Sequence, residues 1–204
     1  MSNKNLLMLF VRNPELGKVK TRLAASVGPE EALAIYMHLL QHTKQVTENL
    51  PVDKVVYYSN EIDQHDLWPN DKYKKQVQPA GDLGEKMEVS FRDAFARGYT
   101  SVVIIGSDCH QLTPDIIEKA FDELKTHEVV IGPALDGGYY LLGMNHLHAE
   151  LFQNKRWSTE HVFPDTLYDI ERLHLSHKVL AELSDIDHIE DLDEDFWERV
   201  GGEA

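Results

Sequence analysis

Val102-Val103-Ile104-Ile105-Gly106-Ser107-Asp108 carries the most fold information of any stretch in the chain. Four consecutive β-branched residues show no alternation of apolar and polar positions, so the strand they form is covered on both faces. A strand covered twice needs helices on both sides of its sheet. Just upstream, a helical pattern after Gly84 puts Met87, Phe91, Ala94 and Phe95 on one face and stops near Gly98. Just downstream, Thr113 is an N-cap residue and Pro114 fits the first helical position of a helix running to about Thr126.

The same alternation extends outward. Residues 6–11 form another continuous apolar run, followed by a polar loop over 12–22. A helix over about 30–46 then carries Leu33, Tyr36, Leu39, Leu40 and Thr43 on one face. Residues 55–58 read as a second strand and 76–78 as a weaker one, with strands again over 129–131 and 139–143. The remainder predicts a turn or helix around 158–168, a strand near 178–180 and an acidic helix from about Asp191. Strands alternating with amphipathic helices predict a three-layer α/β/α fold with a mostly parallel sheet, as one domain over residues 1–204. Ligand sites in such sheets lie in the loops at the strands' carboxyl ends, here 12–22, 106–112 and 132–138.

The bulk composition narrows the function. At 204 residues, 42% apolar and 27% charged, the chain is long enough to bury a sizeable core. No apolar run approaches the ~20 residues that cross a bilayer, and residues 6–11 are too few for a signal-peptide core. A cytoplasmic protein is expected, and the lone Cys109 fits a reducing compartment. A net charge of −15 argues against general nucleic-acid binding. It also makes any local cluster of positive charge informative.

Such a cluster follows the first strand. Arg12, Lys18, Lys20 and Arg22 fall within eleven positions, four of the chain's 20 basic residues. Gly17 lets backbone approach a ligand closely. Arginine as a planar fork and lysine as a point charge suit a di- or triphosphate; the same residues are also compatible with a solvated basic loop. Walker A spacing is absent, which disfavours a P-loop kinase or GTPase. Asp108, directly after a buried strand, is placed either to bind Mg²⁺ or Mn²⁺ or to cap the turn before the Thr113 helix. Asp136-Gly137-Gly138-Tyr139 permits close backbone approach to a ligand, and is equally a plain hairpin turn. The acidic run 184–192 favours a helix N-terminus or returns one carboxylate to a metal. The pairs His146/His148 and His174/His177 lack the H-E-x-x-H pattern and any cysteine pair, so a zinc site is not expected.

Six segments taken together, in order along nearly the whole chain, resemble a bacterial glycosyltransferase-like family. They are residues 14–23, 81–87, 106–109, 132–140, 157–159 and 185–192. The family lies within the nucleotide-diphospho-sugar transferase superfamily, with a GT-A fold, and is similar to guanylyl- and cytidylyltransferases. The resemblance implies that Arg12, Gly17, Lys18, Lys20, Thr21 and Arg22 cradle nucleotide phosphates, and that Gly81, Asp82, Gly84 and Lys86 lie beside the base or ribose. It implies Asp108 as metal ligand, with Asp187 as a second carboxylate, and Lys20, Arg22 and Asp108 as the catalytic set. Asp136, Gly137, Gly138, Tyr139, Trp157 and Ser158 would face the acceptor. The chain departs from the family at His110, where proline is usual, and shows one aspartate where many glycosyltransferases have Asp-x-Asp.

The expected activity is therefore a metal-dependent transfer of a glycosyl or nucleotidyl group to a small acceptor, from a nucleotide-sugar or NTP. The two departures motivate one alternative, a nucleotide-binding regulatory or partner module without catalysis. Donor base, acceptor and oligomeric state are not encoded legibly.

Overall fold

The computed structural model describes residues 4–192 and Phe196. Seven strands form one sheet: β1 (Asn5–Val11), β2 (Asp53–Tyr58), β3 (Lys74–Val77), β4 (Ser101–Ile105), β5 (Val129–Pro133), β6 (Tyr139–Met144) and β7 (His177–Val179). Their spatial order is β3-β2-β1-β4-β6-β5-β7. All neighbours pair in parallel except β6, which runs antiparallel to both β4 and β5.

The apolar runs behave as a doubly covered sheet requires. On β1, Leu7, Leu9 and Val11 face one side with Val103 and Ile105 of β4. Two helices cover that side, α2 (Pro29–Thr47) through Tyr36 and Leu40, and α4 (Pro114–Glu123) through Ile117 and Phe121. Leu6 and Met8 face the other side with Val102 and Ile104. There the cover is α3 (Leu83–Ala96) through Met87 and Phe91, a 3₁₀ turn (Ala149–Phe152), and α5 (Val162–Arg172) through Ile170. The result is a three-layer α/β/α fold with a mostly parallel sheet.

Two local features differ from the sequence expectation. Residues 21–27, within and after the predicted polar loop, form a short helix α1 (Thr21–Val27). Leu23 anchors it in a satellite cluster with Ile35 and Leu39 of α2, Ile186 and Phe196. At seven residues it would be marginal alone, so tertiary burial is what holds it. The helix α4 stops at Glu123, three residues short of the expected end, and continues to Thr126 as turns. The acidic helix expected from about Asp191 lies outside the described residues except for Phe196; within them, Ile189–Asp191 is a 3₁₀ turn.

The carboxyl ends of β1, β2, β4 and β5 and the start of β6 meet along one sheet edge. Gly106 N donates to Tyr140 O at 3.4 Å, tying the loop after β4 to the first residues of β6. The site is built there.

Candidate functional site

The loop after β1 is held by hydrogen bonds from both sides. Asn13 Nδ2 donates to Glu61 O at 2.8 Å, and Asn13 Oδ1 accepts from Asn60 N at 3.0 Å, which locks the loop to the end of β2. On the other side the buried Tyr36 hydroxyl accepts from Arg12 N at 2.8 Å and lies 3.3 Å from Ser107 Oγ. One phenol on α2 thus joins the loops after β1 and β4. Burial, with the nearby Asp108 carboxylate, pushes that phenol up to about 12, so it stays a neutral hydrogen-bonding group.

Lys20 sits at the centre. Its backbone is left-handed (φ 46°), an uncommon conformation for a non-glycine residue, at the N-cap of α1. Its side chain is only 4% exposed, and its ammonium lies 2.9 Å from Asp108 Oδ1 and 3.1 Å from Asp187 Oδ1. Burial works against the charge, but the two carboxylates outweigh it and hold the ammonium above its ordinary pKa. Arg22 Nη1 is 3.4 Å from the second oxygen of Asp187. Asp187 reaches this point because Ile186 N donates to Asp108 O at 3.0 Å and Ser184 N to Gln111 Oε1 at 2.9 Å. Between them Asp185 is half-buried, with its Oδ1 shielded from solvent and making no hydrogen bond. Burial, reinforced by Asp108 and Asp136, raises its carboxyl to about 7.

Two chambers adjoin at Asp108. The first, about 680 Å³, is lined by Arg12, Asn13, Lys18, Gln78, Gly81, Asp82 and Lys86 among others. The second, about 670 Å³, is lined by Lys20, Thr21, Arg22, Asp136, Gly138, Trp157, Asp187 and their neighbours. Arg12, Asp108, Tyr139, Ser158 and Asp185 border both. Each chamber has the volume of an ordinary small-molecule site.

Several residues singled out in the sequence have structural engagements. Asp82 N-caps α3, accepting from Glu85 N at 2.9 Å in a reciprocal capping box. Lys18 is 68% exposed and pairs with Glu15. Gly17, Gly84 and Gly137 are not among the chamber-lining residues. Gly84 lies under Trp157, where an added Cβ would stand 2.5 Å from the indole. Gly137, at φ 85°, is pressed against the backbone of Glu160. Trp157 and Ser158 (φ 62°) ride on a strap over residues 153–161. Lys155, 1% exposed, pins the strap to Asp169 of α5, and Arg156 pairs with Asp165 at 3.1 Å.

His110 is 3% exposed, meets the Phe196 ring edge-on at 5.7 Å and does not line either chamber. His110, where the resemblance led to an expectation of proline, is therefore part of the core. Cys109 is buried, and burial followed by Asp185 pushes its thiol to about 12, which rules out a ready thiolate nucleophile. Sequence reasoning missed Tyr36 as a site residue, since its hydroxyl belongs to an otherwise apolar helix face. It also missed Asp185 among the acidic positions around it.

A bacterial family profile matches residues 41–159, which is more than half of the chain. Its members are described as uncharacterized proteins conserved in bacteria (DUF2064). The chain belongs to this family. A solved structure from Desulfovibrio desulfuricans G20, described as a proposed nucleotide-diphospho-sugar transferase, is 33% identical. The match covers 94% of this chain and 85% of that one, with a TM-score of 0.86. The inositol-1-phosphate CTP transferase of T. maritima shares the fold at 12% identity, covering 98% and 95% of the two chains, TM-score 0.59. Rv0371c of Mycobacterium tuberculosis H37Rv, solved in complex with manganese, does so at 13% identity, covering 96% and 99%, TM-score 0.55. No curated protein matches the sequence. The three-layer arrangement is thus the fold of the nucleotide-diphospho-sugar transferase superfamily, which the T. maritima CTP transferase shares.

The site's donor set also bears on a metal ion. Asp108, Asp185 and Asp187 offer only carboxylate oxygens, the chemistry of Mg²⁺ or Mn²⁺ and not of zinc. The space between Asp108 and Asp187 already holds a cation, the Lys20 ammonium. Among the described residues no three His, Cys, Asp or Glu side chains are arranged to hold a metal by themselves. Two carboxylates completed by phosphate oxygens and water match the usual manner in which Mg²⁺ binds with nucleotides. The residues fit such an ion.

Proposed function

We propose that the chain is a nucleotide-dependent transferase. It moves a glycosyl or nucleotidyl group from a nucleotide-sugar or NTP to a small acceptor. The supporting observation is the position of Asp108 between two chambers of similar volume, with Lys20 and Arg22 beside it. The first chamber, edged by Arg12, Lys18 and Lys86, suits the nucleotide; the second, between Asp136, Tyr139, Trp157 and Ser158, suits the acceptor. The unit acts as one domain over residues 1–204, in the cytoplasm, where Cys109 stays reduced. No described helix is long and apolar enough to cross a membrane.

Arg12 and Lys18 bind the donor's phosphates, and Lys20 and Arg22 offset the negative charge that grows on the leaving group. Asp108 and Asp187 would hold a Mg²⁺ or Mn²⁺ ion, which when bound supplies Lewis-acid charge to the diphosphate oxygens. With its thiol buried and pushed up to about 12, Cys109 does not serve as a nucleophile in the transfer. The burial of His110 outside both chambers removes one motive for the non-catalytic alternative.

The test is a thermal-shift panel of NTPs and nucleotide-sugars with and without Mg²⁺ or Mn²⁺. A ligand at a hundred times its Kd stabilises the folded state by about 2.7 kcal/mol. The expected result is a metal-dependent shift with one base. Release of pyrophosphate from an NTP then marks nucleotidyl transfer, and release of an NDP from a nucleotide-sugar marks glycosyl transfer. No shift with any nucleotide, from folded protein, refutes the proposal; binding without product under any metal favours the regulatory module.

A further inference from the structure

Lys20 combines four features that a simple structural ion pair does not need. Its backbone is held in a left-handed conformation that costs a non-glycine residue free energy. It occupies a helix N-cap without providing a side-chain cap. Its side chain is 4% exposed, yet both carboxylates it bridges remain open to solvent, Asp108 at 44% and Asp187 at 34% of the side chain. Those two carboxylates are the ones that would hold the divalent ion. Ammonium and metal ion therefore compete for the same oxygens.

We propose that Lys20 is a built-in placeholder cation, which occupies the metal position in the bare protein and leaves it when a nucleotide phosphate arrives. The inference rests on the metal-assisted reading above and deepens it. Lysine is suited to the exchange, with a compact charge and three donors on a flexible four-carbon stem. Asp108 borders the nucleotide chamber, so phosphate oxygens placed there lie beside the ammonium and give it a new partner. Once Lys20 turns to phosphate, Asp108 and Asp187 regain their full negative charge, with Asp136 nearby to add to the field. Metal and nucleotide then strengthen each other's binding by one common factor, as linkage requires, commonly about 5–150-fold. Each ligand alone binds weakly because each alone must work against the Lys20 bridge.

The competition is read most directly without any nucleotide. Mn²⁺ is titrated into the full-length protein, and binding is measured from the loss of the free-ion electron paramagnetic resonance signal. Lys20→Met removes the ammonium; Lys20→Gly also removes it and adopts the left-handed backbone without steric cost, which keeps the fold accessible. Asp108→Asn removes one ligand. The expected result is that both Lys20 variants bind Mn²⁺ more tightly than the unsubstituted protein, by about 5–150-fold. Adding Asp108→Asn to either should abolish that gain. If the Lys20 variants bind Mn²⁺ no more tightly, while Asp108→Asn still weakens binding in the unsubstituted protein, the placeholder is refuted and the metal site stands. If neither the unsubstituted protein nor the Lys20 variants bind Mn²⁺, the placeholder and the metal-assisted reading both fall.

Discussion

Replacing Gly137 by alanine should destabilise the protein through two separable effects. The first is conformational, because Gly137 has φ 85°, where an L-residue pays about 1–2 kcal/mol. The second is steric. A Cβ at Gly137 would stand 2.3 Å from Glu160 O and 2.5 Å from Glu160 Cα, both backbone atoms that cannot rotate away. Overpacking of this kind costs about 1–3 kcal/mol, so the total is about 2–5 kcal/mol. Gly17→Ala isolates the first effect, since Gly17 has φ 73° and nothing within 4 Å of its would-be Cβ. It should therefore lose only about 1–2 kcal/mol. Urea unfolding of both variants gives the comparison at equal m-value, and thermal scans should follow at about 2–4 °C per kcal/mol for a chain of this size. The excess loss in Gly137→Ala measures how tightly the turn between β5 and β6 presses on the 153–161 strap. Equal losses in the two variants would mean that this packing is absent, and that Glu160 does not wall the second chamber from this turn.

Three further perturbations address other parts of the molecule. Tyr36→Phe leaves Arg12 N without its 2.8 Å partner and should cost about 1–3 kcal/mol while weakening nucleotide-induced thermal shifts; unchanged stability and shifts would remove Tyr36 as the link between the two loops. Lys155→Met breaks an ion pair whose lysine is 1% exposed, though Asp169 keeps Arg172 at 2.9 Å, so a loss of about 3 kcal/mol in urea unfolding is expected. A loss within error would show that the strap is held without it. Burial lowers the pKa of His148 from 6.5 against the opposing pull of Glu128. The folded state thus binds fewer protons than the unfolded one near and below that pH, and stability is full above 6.5 and declines as pH falls. His148→Gln should flatten the urea midpoint between pH 7.5 and 5.5, and an unchanged slope would contradict the assignment.

The sheet was legible because both its faces are buried. Runs such as 102–105 have no polar face to hide, and period-3.6 patterns between them can only be the covering helices. The reversal of β6 was not legible, since strand direction leaves no mark on an apolar run. Helix α1 was hidden for a related reason: seven residues starting beside a basic loop carry too little periodicity, and burial of Leu23 decides the matter. In the site, the basic cluster and Asp108 could be found from their position after buried strands. The Lys20–Asp187 contact spans 167 residues and depends on Ile186 hydrogen-bonding to the Asp108 carbonyl, a long-range fact with no local signature. Asp185 differs from Asp187 in its solvent-shielded, unpartnered Oδ1, which only the folded chain creates.

The antiparallel β6 has an evolutionary consequence. A parallel strand can add residues to a carboxyl-edge site only through the loop that follows it, and that loop must also lead to the next helix. Because β6 runs the other way, the short turn at 134–138 reaches the site directly between two neighbouring strands, with no helix to lead into. Substitutions at Asp136 or Gly138 would reshape the chamber they line, while Gly137 must stay to keep its contacts with Glu160 and the start of α5. The shape of that chamber can thus diverge through two positions of one hairpin.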